Sequence, residues 1–317
     1  MTHVKPARAE DRATDRDHAR PRRYTLAGQA IDAPRLAGGL HLVATPIGNL
    51  RDITLRALEI LAGADLVCCE DTRVTRKLFD HYGLTTPLVP YHEHNAESQR
   101  PKILQRLSEG AAVALVSDAG TPLISDPGYK LVRAAQDAGH AVTAIPGASS
   151  VLTALSVAGL PTDRFFFEGF LPAKQAARQK RIAALASIPA TLVLFESGPR
   201  LAAALADLAA GLGPRAAAIC RELTKLHEEV RRGDLATLAH DYAAGGETRG
   251  EIVIVVAPPE EAETANADVD DMLRRALTRV SLKDAVGEVA LASGRPRREV
   301  YQRALALGKD GSDGAAR

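Results

Sequence analysis

Four short, continuously apolar runs in the first half of the chain limit the folds that it can adopt. They span Leu40–Thr45, Leu66–Cys69, Val113–Ser117 and Val142–Ile145. Segments with helical spacing of apolar residues lie between them, at Leu55–Leu61, Ile103–Leu107 and Tyr129–Ala138. Strands that are apolar at every position are buried on both faces, which is typical of a parallel sheet covered by helices. We therefore predict an α/β domain over residues 38–159.

The second half of the chain repeats this alternation with apolar residues of its own. Strand-like runs occur at Phe165–Phe167, Ala190–Phe195, Ala216–Cys220 and Glu251–Ala257. Helical spacing occurs at Lys174–Ala186, Leu201–Leu208 and Thr237–Tyr242, and again at Asp270–Val280, Leu282–Ala292 and Arg297–Leu307. We predict a second α/β domain over 160–258, a linker over 259–268 and a basic helical segment over 269–309. The polar ends, 1–37 and 310–317, are predicted to be a disordered arm and tail.

Composition and charge narrow the class of protein without naming a partner. The 317 residues are 46% hydrophobic and 25% charged, as in ordinary globular domains. No apolar run approaches the roughly 18–20 residues of a membrane span. The three cysteines, Cys68, Cys69 and Cys220, lack metal or disulfide spacing, which favours buried packing in a reducing cytoplasm. The net charge is +1, but the segment from Arg274 to Lys309 contains nine basic residues and three acidic ones.

The strongest functional signal lies where three of the first four strands end. The chain has no G-x-G-x-x-G or G-x-x-x-x-G-K-[ST] motif, which argues against a standard dinucleotide or P-loop site. Instead, strands run into turns rich in Gly and Pro at Thr45–Leu50, Ser117–Gly128 and Pro146–Ser150. Small residues at the carboxyl ends of parallel strands let a ligand approach the backbone, and Asp118 could bind ribose hydroxyls or an amine there. The alternative is that all three are plain strand-to-helix turns.

Longer motifs extend this pattern across both halves of the chain. They are Thr45-Pro46-Ile47-Gly48-Asn49-Leu50, Cys69-Glu70-Asp71-Thr72-Arg73, Tyr91-His92-Glu93-His94-Asn95, the Ser117–Gly128 loop, Pro161–Phe165, Glu168–Pro172 and Arg221–Lys225. Together they closely resemble the ribosomal RNA small subunit methyltransferase I family, over about residues 40–257 and more loosely beyond. One departure is Gly198-Pro199, where the family usually has Pro-His. No role for that histidine carries over to this chain.

The resemblance implies a tetrapyrrole methylase-like architecture, in which two α/β domains enclose a donor-binding cleft and a small helical segment follows. It implies S-adenosylmethionine-dependent 2′-O-methylation of a cytidine ribose in the decoding region of 16S rRNA. The implied enzyme is a cytoplasmic homodimer that acts on the small ribosomal subunit, without a metal or a membrane. The residues that it assigns to S-adenosyl-L-methionine are Pro46, Ser117, Asp118, Ala119, Gly120, Thr121, Leu123, Ile124, Gly147, Ala148, Phe195, Glu196, Ala218 and Arg221.

A ribose hydroxyl is a poor nucleophile unless its proton is removed or its charge is stabilised. The candidates for these roles are Glu70, Asp71, His92, Glu93, His94, Glu222 and Lys225, and the sequence does not choose among them. Glu70-Asp71-Thr72-Arg73 is equally typical of a capped helix N-terminus. His92 and His94 would share one face of a strand, but without a third ligand they favour hydrogen bonding or substrate contact over a metal.

Contact with RNA requires exposed positive charge. The candidates are Lys174, Arg178, Lys180 and Arg181, with Arg297 and Arg298 in the C-terminal helices. A solvated helix face is the alternative for such a run of charge. Two other functions stay open at this point: a methylase of a small tetrapyrrole-type molecule, which the fold would also permit, and a non-catalytic module that binds the ribosome.

Overall fold

The computed structural model describes residues 22–246, 248–259 and 261–310. The chain divides into two compact units, Met1–Ser150 and Val151–Arg317. Residues 1–21 of the predicted arm and 311–317 of the predicted tail lie outside the described residues. Among the residues described, no helix is long and apolar enough to cross a lipid bilayer. The boundaries that the sequence predicts for the two α/β domains stay predictions.

The first unit contains a hairpin, a five-stranded parallel sheet and four helices. Its strands are β1 (Arg23–Leu26), β2 (Gln29–Asp32), β3 (Gly39–Val43), β4 (Leu66–Cys69), β5 (Leu88–Pro90), β6 (Ala112–Leu115) and β7 (Val142–Ile145). Its helices are α1 (Leu55–Gly63), α2 (Thr72–Tyr82), α3 (Ala96–Ser108) and α4 (Tyr129–Asp137). The sheet order is β5-β4-β6-β3-β7, and every pairing in it is parallel. The predicted parallel α/β arrangement is therefore confirmed.

Buried apolar side chains cover both faces of this sheet. One cluster packs α1 and α2 against Val43, Val67 and Val116, and the other packs α3 and α4 against Leu40 and Leu115. Cys68 and Cys69 are fully buried in β4. Burial raises the pKa of the Cys68 thiol to about 12, so this side chain stays protonated and packs as an apolar group.

The second unit has a mixed sheet with order β11-β10-β12-β9-β8. Its strands are β8 (Phe165–Phe170), β9 (Thr191–Ser197), β10 (Ala216–Arg221), β11 (Glu229–Asp234) and β12 (Glu251–Val256). Its helices are α5 (Ser150–Ala158, which begins at the last residue of the first unit), α6 (Gln175–Leu185), α7 (Leu201–Leu212) and α8 (Leu235–Ala244). Among the described residues of this sheet, β8 and β9 are the one parallel pair. The edge strand β11 is missing from the predicted elements because its residues are polar and half-buried or exposed.

Three helices end the described chain: α9 (Glu261–Leu277), α10 (Leu282–Ser293) and α11 (Arg297–Asp310). They pack around a small core that includes Leu273, Val289 and Val300. Ser281 caps α10, accepting a hydrogen bond from the Asp284 amide at 3.3 Å and donating one to its carboxylate at 2.6 Å.

Two predicted boundaries need correction. Residues 22–37 do not belong to a disordered arm, because β1 and β2 form an antiparallel hairpin whose Tyr24 is buried in the core of the first unit. Its two-residue turn, Ala27-Gly28, has positive φ at both positions, as a twisted hairpin requires. The predicted linker over 259–268 is also too long, since α9 already begins at Glu261. Residue 260 lies outside the described residues.

Candidate active site

The three Gly- and Pro-rich loops meet at the carboxyl edge of the parallel sheet. The loop after β6 returns to the end of β3, where Thr45 and Gly120 exchange backbone hydrogen bonds of 2.9 and 3.0 Å. The Thr121 hydroxyl donates to the Ala148 carbonyl at 3.4 Å, which joins the loop after β7. Pro46 is buried beside this junction, while Ala119, Thr121 and Ile124 are exposed. We call these three segments, 45–50, 117–128 and 146–150, the strand-end loops.

Small residues and unusual backbone angles shape the strand-end loops. Gly120 has φ +76°, and a Cβ on Gly147 would lie 2.9 Å from the Ala44 Cβ. Leu123 and Ser125 also have positive φ, at 74° and 64°. Non-glycine residues in that region cost free energy and cluster at functional sites. Gly147 is therefore required by its close packing on Ala44, and part of the loop backbone is held in a costly conformation.

Three acidic residues follow β4 and β6 at the same edge of the sheet: Glu70, Asp118 and Asp126, which we call the strand-end acids. Asp118 accepts a hydrogen bond from the Asp71 amide at 3.0 Å, which ties the two strand ends together. Burial, and then the neighbouring carboxylates, raise the pKa of Glu70. Burial also raises the pKa of Asp118, against the lowering effect of the Asp71 amide. In the described part of the chain, none of the three forms an ion pair.

Asp126 is a further acidic residue at this edge of the sheet, and it is not among the catalytic candidates predicted from the sequence. Burial raises its pKa to about 6, with a further contribution from the Glu70 carboxylate and against a hydrogen bond from the Ser117 hydroxyl. A carboxyl group with such a pKa is poised to exchange protons near neutral pH. The signal in the sequence was weak, because this strand-end loop holds two aspartates and only the fold shows that burial raises the pKa of Asp126 further than that of Asp118.

Asp71 has a structural role instead. It is the N-cap residue of α2, where its carboxylate accepts the Arg73 amide at 2.8 Å and pairs with the Arg73 guanidinium at 2.6 Å. These hydrogen bonds hold its pKa at about 2. A carboxylate with so low a pKa is a poor proton acceptor. Of the two interpretations of the Glu70–Arg73 segment, the capped helix N-terminus is therefore the one that fits Asp71.

The residues after β5 lie on a cleft of about 510 Å³. Its lining includes Tyr91, Glu93, Glu97, Arg100, Asp126 and Tyr129. We call it the α3–α4 cleft, because it lies between the starts of these two helices. His92 lies beside it, and its amide donates to the Asn95 side chain at 2.9 Å. The His92 and His94 rings are 5.9 Å apart, and no group of three metal-ligating side chains occurs within the described residues.

The remaining candidates lie in the second unit. Phe195 and Glu196 are opposite Val253 and Ile252 of β12, and Arg221 is opposite Ile252 on the other side of that strand. Glu196 is buried and pairs with the Arg200 guanidinium at 3.2 Å. Ala218 is fully buried in the middle of the sheet, so its side chain offers no surface to a ligand. Glu196 and Arg221 are thus neighbours across one strand.

Glu222 and Lys225 form a compact ion cluster with Glu251. The Lys225 ammonium donates to Glu222 at 2.8 Å and to Glu251 at 2.9 Å, and Glu222 also accepts the Glu251 amide at 2.9 Å. Burial of Glu222 raises its pKa, but these hydrogen bonds outweigh that effect and the pKa is lowered. Glu222 and Thr224 both have positive φ. The structure brings these candidates together and neutralises their charges.

The basic candidates do not share one environment. Lys174 and Lys180 are exposed on α6, and Arg297 and Arg298 are exposed on α11. Arg178 is wrongly predicted as an RNA contact, because its side chain is only 7% exposed and its guanidinium pairs with Asp207 at 2.6 Å. It shares the buried stripe of α6 with Ile182 and Leu185, a spacing visible in the sequence. Arg181 is partly exposed but binds Glu168 through two hydrogen bonds.

Comparisons with known proteins agree with this arrangement. Residues 39–239 match the family model described as Tetrapyrrole (Corrin/Porphyrin) Methylases, and residues 263–308 match the RsmI C-terminal HTH domain. The ribosomal RNA small subunit methyltransferase I of Mesorhizobium japonicum is 50% identical over 291 residues, covering 91% of this chain and 99% of that protein. Its counterpart in Pseudomonas aeruginosa is 46% identical, covering 85% and 97%.

Solved structures support the fold. Diphthine synthase aligns with a TM-score of 0.54 at 21% identity, covering 69% of this chain and 89% of that one. Cobalt precorrin-4 methyltransferase aligns with a TM-score of 0.52 at 18% identity, covering 69% and 94%. The predicted resemblance and the tetrapyrrole methylase-like fold are both confirmed. The chain is a methyltransferase, and it belongs to the ribosomal RNA small subunit methyltransferase I family.

Proposed function

We propose that this chain methylates the 2′-oxygen of a cytidine ribose in the decoding region of 16S rRNA, with S-adenosylmethionine as the methyl donor. The observation that carries the proposal is the position of Asp126. It is a partly buried carboxyl group in the loop after β6, on the wall of the α3–α4 cleft, in a chain of this family. The small ribosomal subunit as substrate would place the activity in the cytoplasm.

The strand-end loops fit the methyl donor. Gly120 and Gly147 let the loops pack closely on the end of β3, and Ile124 offers an exposed apolar surface. Asp118 supplies a carboxylate that can accept hydrogen bonds from ribose hydroxyls or an ammonium group. Pro46, Thr121 and Ala148 border the same junction. When bound, S-adenosylmethionine supplies an electrophilic methyl group on a sulfonium centre, and it leaves as the thioether.

In the second unit, Phe195, Glu196 and Arg221 are the remaining donor contacts that we propose. Glu196 and Arg221 flank the same residue of β12, and Arg221 is half-buried with its guanidinium 3.0 Å from Glu229. Ala218 is proposed only as a packing neighbour, since it is fully buried.

Asp126 is the proton acceptor that we propose for the ribose. The 2′-hydroxyl oxygen gains the methyl group, and its proton passes to the Asp126 carboxylate. A pKa of about 6 leaves this carboxylate ionised at pH 7–8 yet basic enough to take the proton. Glu70 stays an alternative acceptor, because burial raises its pKa as well. Glu222 and Lys225 are less suited, since each is held by ionic hydrogen bonds within its own cluster.

RNA contact is proposed for the exposed basic residues Lys174, Lys180, Arg297 and Arg298. Each can neutralise a phosphate without breaking an ion pair that the described residues show. Arg181 would have to leave Glu168 first. The homodimer that the family resemblance implies is also part of the proposal, and light scattering of the purified chain measures it directly.

The test is methyl transfer from labelled S-adenosylmethionine to small subunits purified without this modification, with free rRNA alongside. We expect label on one ribose 2′-oxygen in the decoding region, and loss of donor binding with Asp118→Ala. The matched control is Asp137→Asn, an exposed aspartate at the end of α4. Donor binding without transfer to either RNA substrate would favour a small-molecule methylase. RNA binding without donor binding would favour a non-catalytic ribosome-binding module.

A further inference from the structure

Apart from Asp126, the residues that line the α3–α4 cleft have no part in the donor binding and proton transfer proposed above. It opens between the segment after β5, the first turns of α3 and the start of α4, all within the first unit. Its volume of about 510 Å³ lies within the range of small-ligand pockets. Asp126 is part of its wall, so the cleft borders the place where we put the reacting ribose.

The side chains that line the cleft are more acidic than those of a phosphate-binding site. Glu93 and Glu97 are exposed carboxylates, and Asp126 adds a third acidic group. Only Arg100 and Lys130 are basic. Three carboxyl groups would repel a phosphate but would accept hydrogen bonds from an amino group. The lining therefore favours a neutral ligand that carries hydrogen-bond donors.

Two further features indicate that this ligand is flat and aromatic. The Tyr129 side chain at the start of α4 is 64% exposed, although it is large and aromatic. Such a ring offers a face on which a base can stack. Arg100 also lines the cleft. Its guanidinium can donate to a carbonyl oxygen that enters there.

We propose that the α3–α4 cleft holds the base of the target nucleotide and selects cytosine over uracil through its carboxylates. This inference rests on the proposed function. The exocyclic amino group of cytosine would donate to Glu93 or Glu97, the 2-carbonyl would accept from Arg100, and the ring would stack on Tyr129. Uracil has a carbonyl oxygen in place of the amino group, and that oxygen would face a carboxylate. A base turned out of the RNA into such a pocket is read along this edge.

The experiment compares small subunits that carry cytidine or uridine at the mapped target position. The wild-type chain should methylate the cytidine subunits with a kcat/KM roughly 5- to 150-fold higher, the range for one good base contact. Glu93→Gln with Glu97→Gln should reduce that ratio towards one. The matched control is Glu109→Gln, an exposed glutamate at the other end of α3.

A second comparison tests stacking. Tyr129→Ala should lower kcat/KM on cytidine subunits roughly 5- to 150-fold, as expected for the loss of one stacked base. Tyr129→Phe should retain at least half of the wild-type value, because stacking does not need the hydroxyl. The Kd for S-adenosylmethionine and the melting temperature should stay at wild-type values in every variant.

The outcomes separate this inference from the proposed function. If the wild-type chain does not methylate cytidine subunits, the proposed function fails. If it does so but discriminates equally well in the double glutamine variant, or if Tyr129→Ala matches wild type, the cleft is not the base site and the proposed function still stands.

Discussion

The strand-end acids of the first unit and the acidic residues of the second unit have opposite surroundings. Glu70, Asp118 and Asp126 lie among other carboxyl groups, and burial raises the pKa of each. In the second unit, Asp207 binds Arg178, and Glu222 binds Lys225. Burial raises the pKa of both these acids too, but the hydrogen bonds from their partners outweigh it and lower the pKa.

The difference separates acidic residues that can do chemistry from those that hold the fold. A carboxyl group with a raised pKa can take up and release a proton near neutral pH, whereas one with a lowered pKa stays ionised. Its charge then serves to fix the partner in place. This comparison supports the proposal that proton transfer belongs to the first unit, whereas the ionic clusters of the second unit hold the fold.

The largest effect is expected for Asp126→Asn. The amide keeps the size of the carboxyl group but cannot accept the ribose proton, and general bases typically contribute 10²–10⁴-fold to a rate. We expect single-turnover methyl transfer to small subunits to fall by about this factor, with an unchanged Kd for S-adenosylmethionine. Asp137→Asn should match wild type. A loss of less than about tenfold would remove Asp126 as the proton acceptor and favour Glu70.

The next effect concerns stability in the second unit. Arg178→Leu leaves the Asp207 carboxylate buried without its cation, and breaking a buried pair in this way costs about 3–5 kcal/mol. Urea denaturation should show a loss of this size. Lys180→Ala, two residues further along α6 and exposed, should leave stability within about 0.5 kcal/mol. It should instead weaken binding to small subunits and reduce the salt dependence of that binding.

A stable Arg178→Leu variant would show that Asp207 takes up a proton instead of remaining ionised, and the contrast between the two units would weaken. The double variant Arg178→Leu with Asp207→Leu checks the cause. It should recover part of the lost stability, because the uncompensated charge is then absent.

The contrast also explains which parts of the molecule the sequence predicted. Strands β3, β4 and β6 were found because burial on both faces leaves a nearly unbroken apolar run. The edge strand β7 was found from its apolar composition, although Thr143 and Ala144 are exposed. The β1–β2 hairpin was missed because its residues are mostly polar, and Tyr24 is buried in the core while Leu26 and Ile31 are only partly buried against it. Short edge elements of this kind depend on contacts that lie far away in the sequence.

The sequence also predicted part of the candidate site. The strand-end loops could be found from their density of Gly, Pro and Asp, and the structure brings them together. Which acid has a raised pKa could not be found, because desolvation depends on the packing around each side chain. Asp71 and Asp126 lie in equally conspicuous motifs, yet one caps α2 with a pKa of about 2 and the other has a pKa of about 6. Arg178 was misassigned for the same reason.

A smaller effect on the rate of methyl transfer is expected when the pH is lowered. If Asp126 must be ionised, the single-turnover rate should be nearly constant above pH 7 and fall as the pH drops through about 6. Between pH 8 and pH 5 the expected loss is about tenfold. The remaining activity of Asp126→Asn should not show this inflection. A wild-type profile that stays flat down to pH 5 would contradict proton transfer to this carboxyl group.

The smallest effect is expected for Glu251→Gln in the ion cluster of the second unit. The Glu251 side chain is 79% exposed, and exposed ion pairs contribute about 0–1 kcal/mol. Lys225 keeps its hydrogen bond to Glu222, which is less exposed and also accepts the backbone amide of residue 251. Stability should therefore change by less than about 0.5 kcal/mol, and the rate and its pH profile should match wild type. A shifted pH profile in this variant would show that the cluster titrates during the reaction, and proton transfer would then belong to both units.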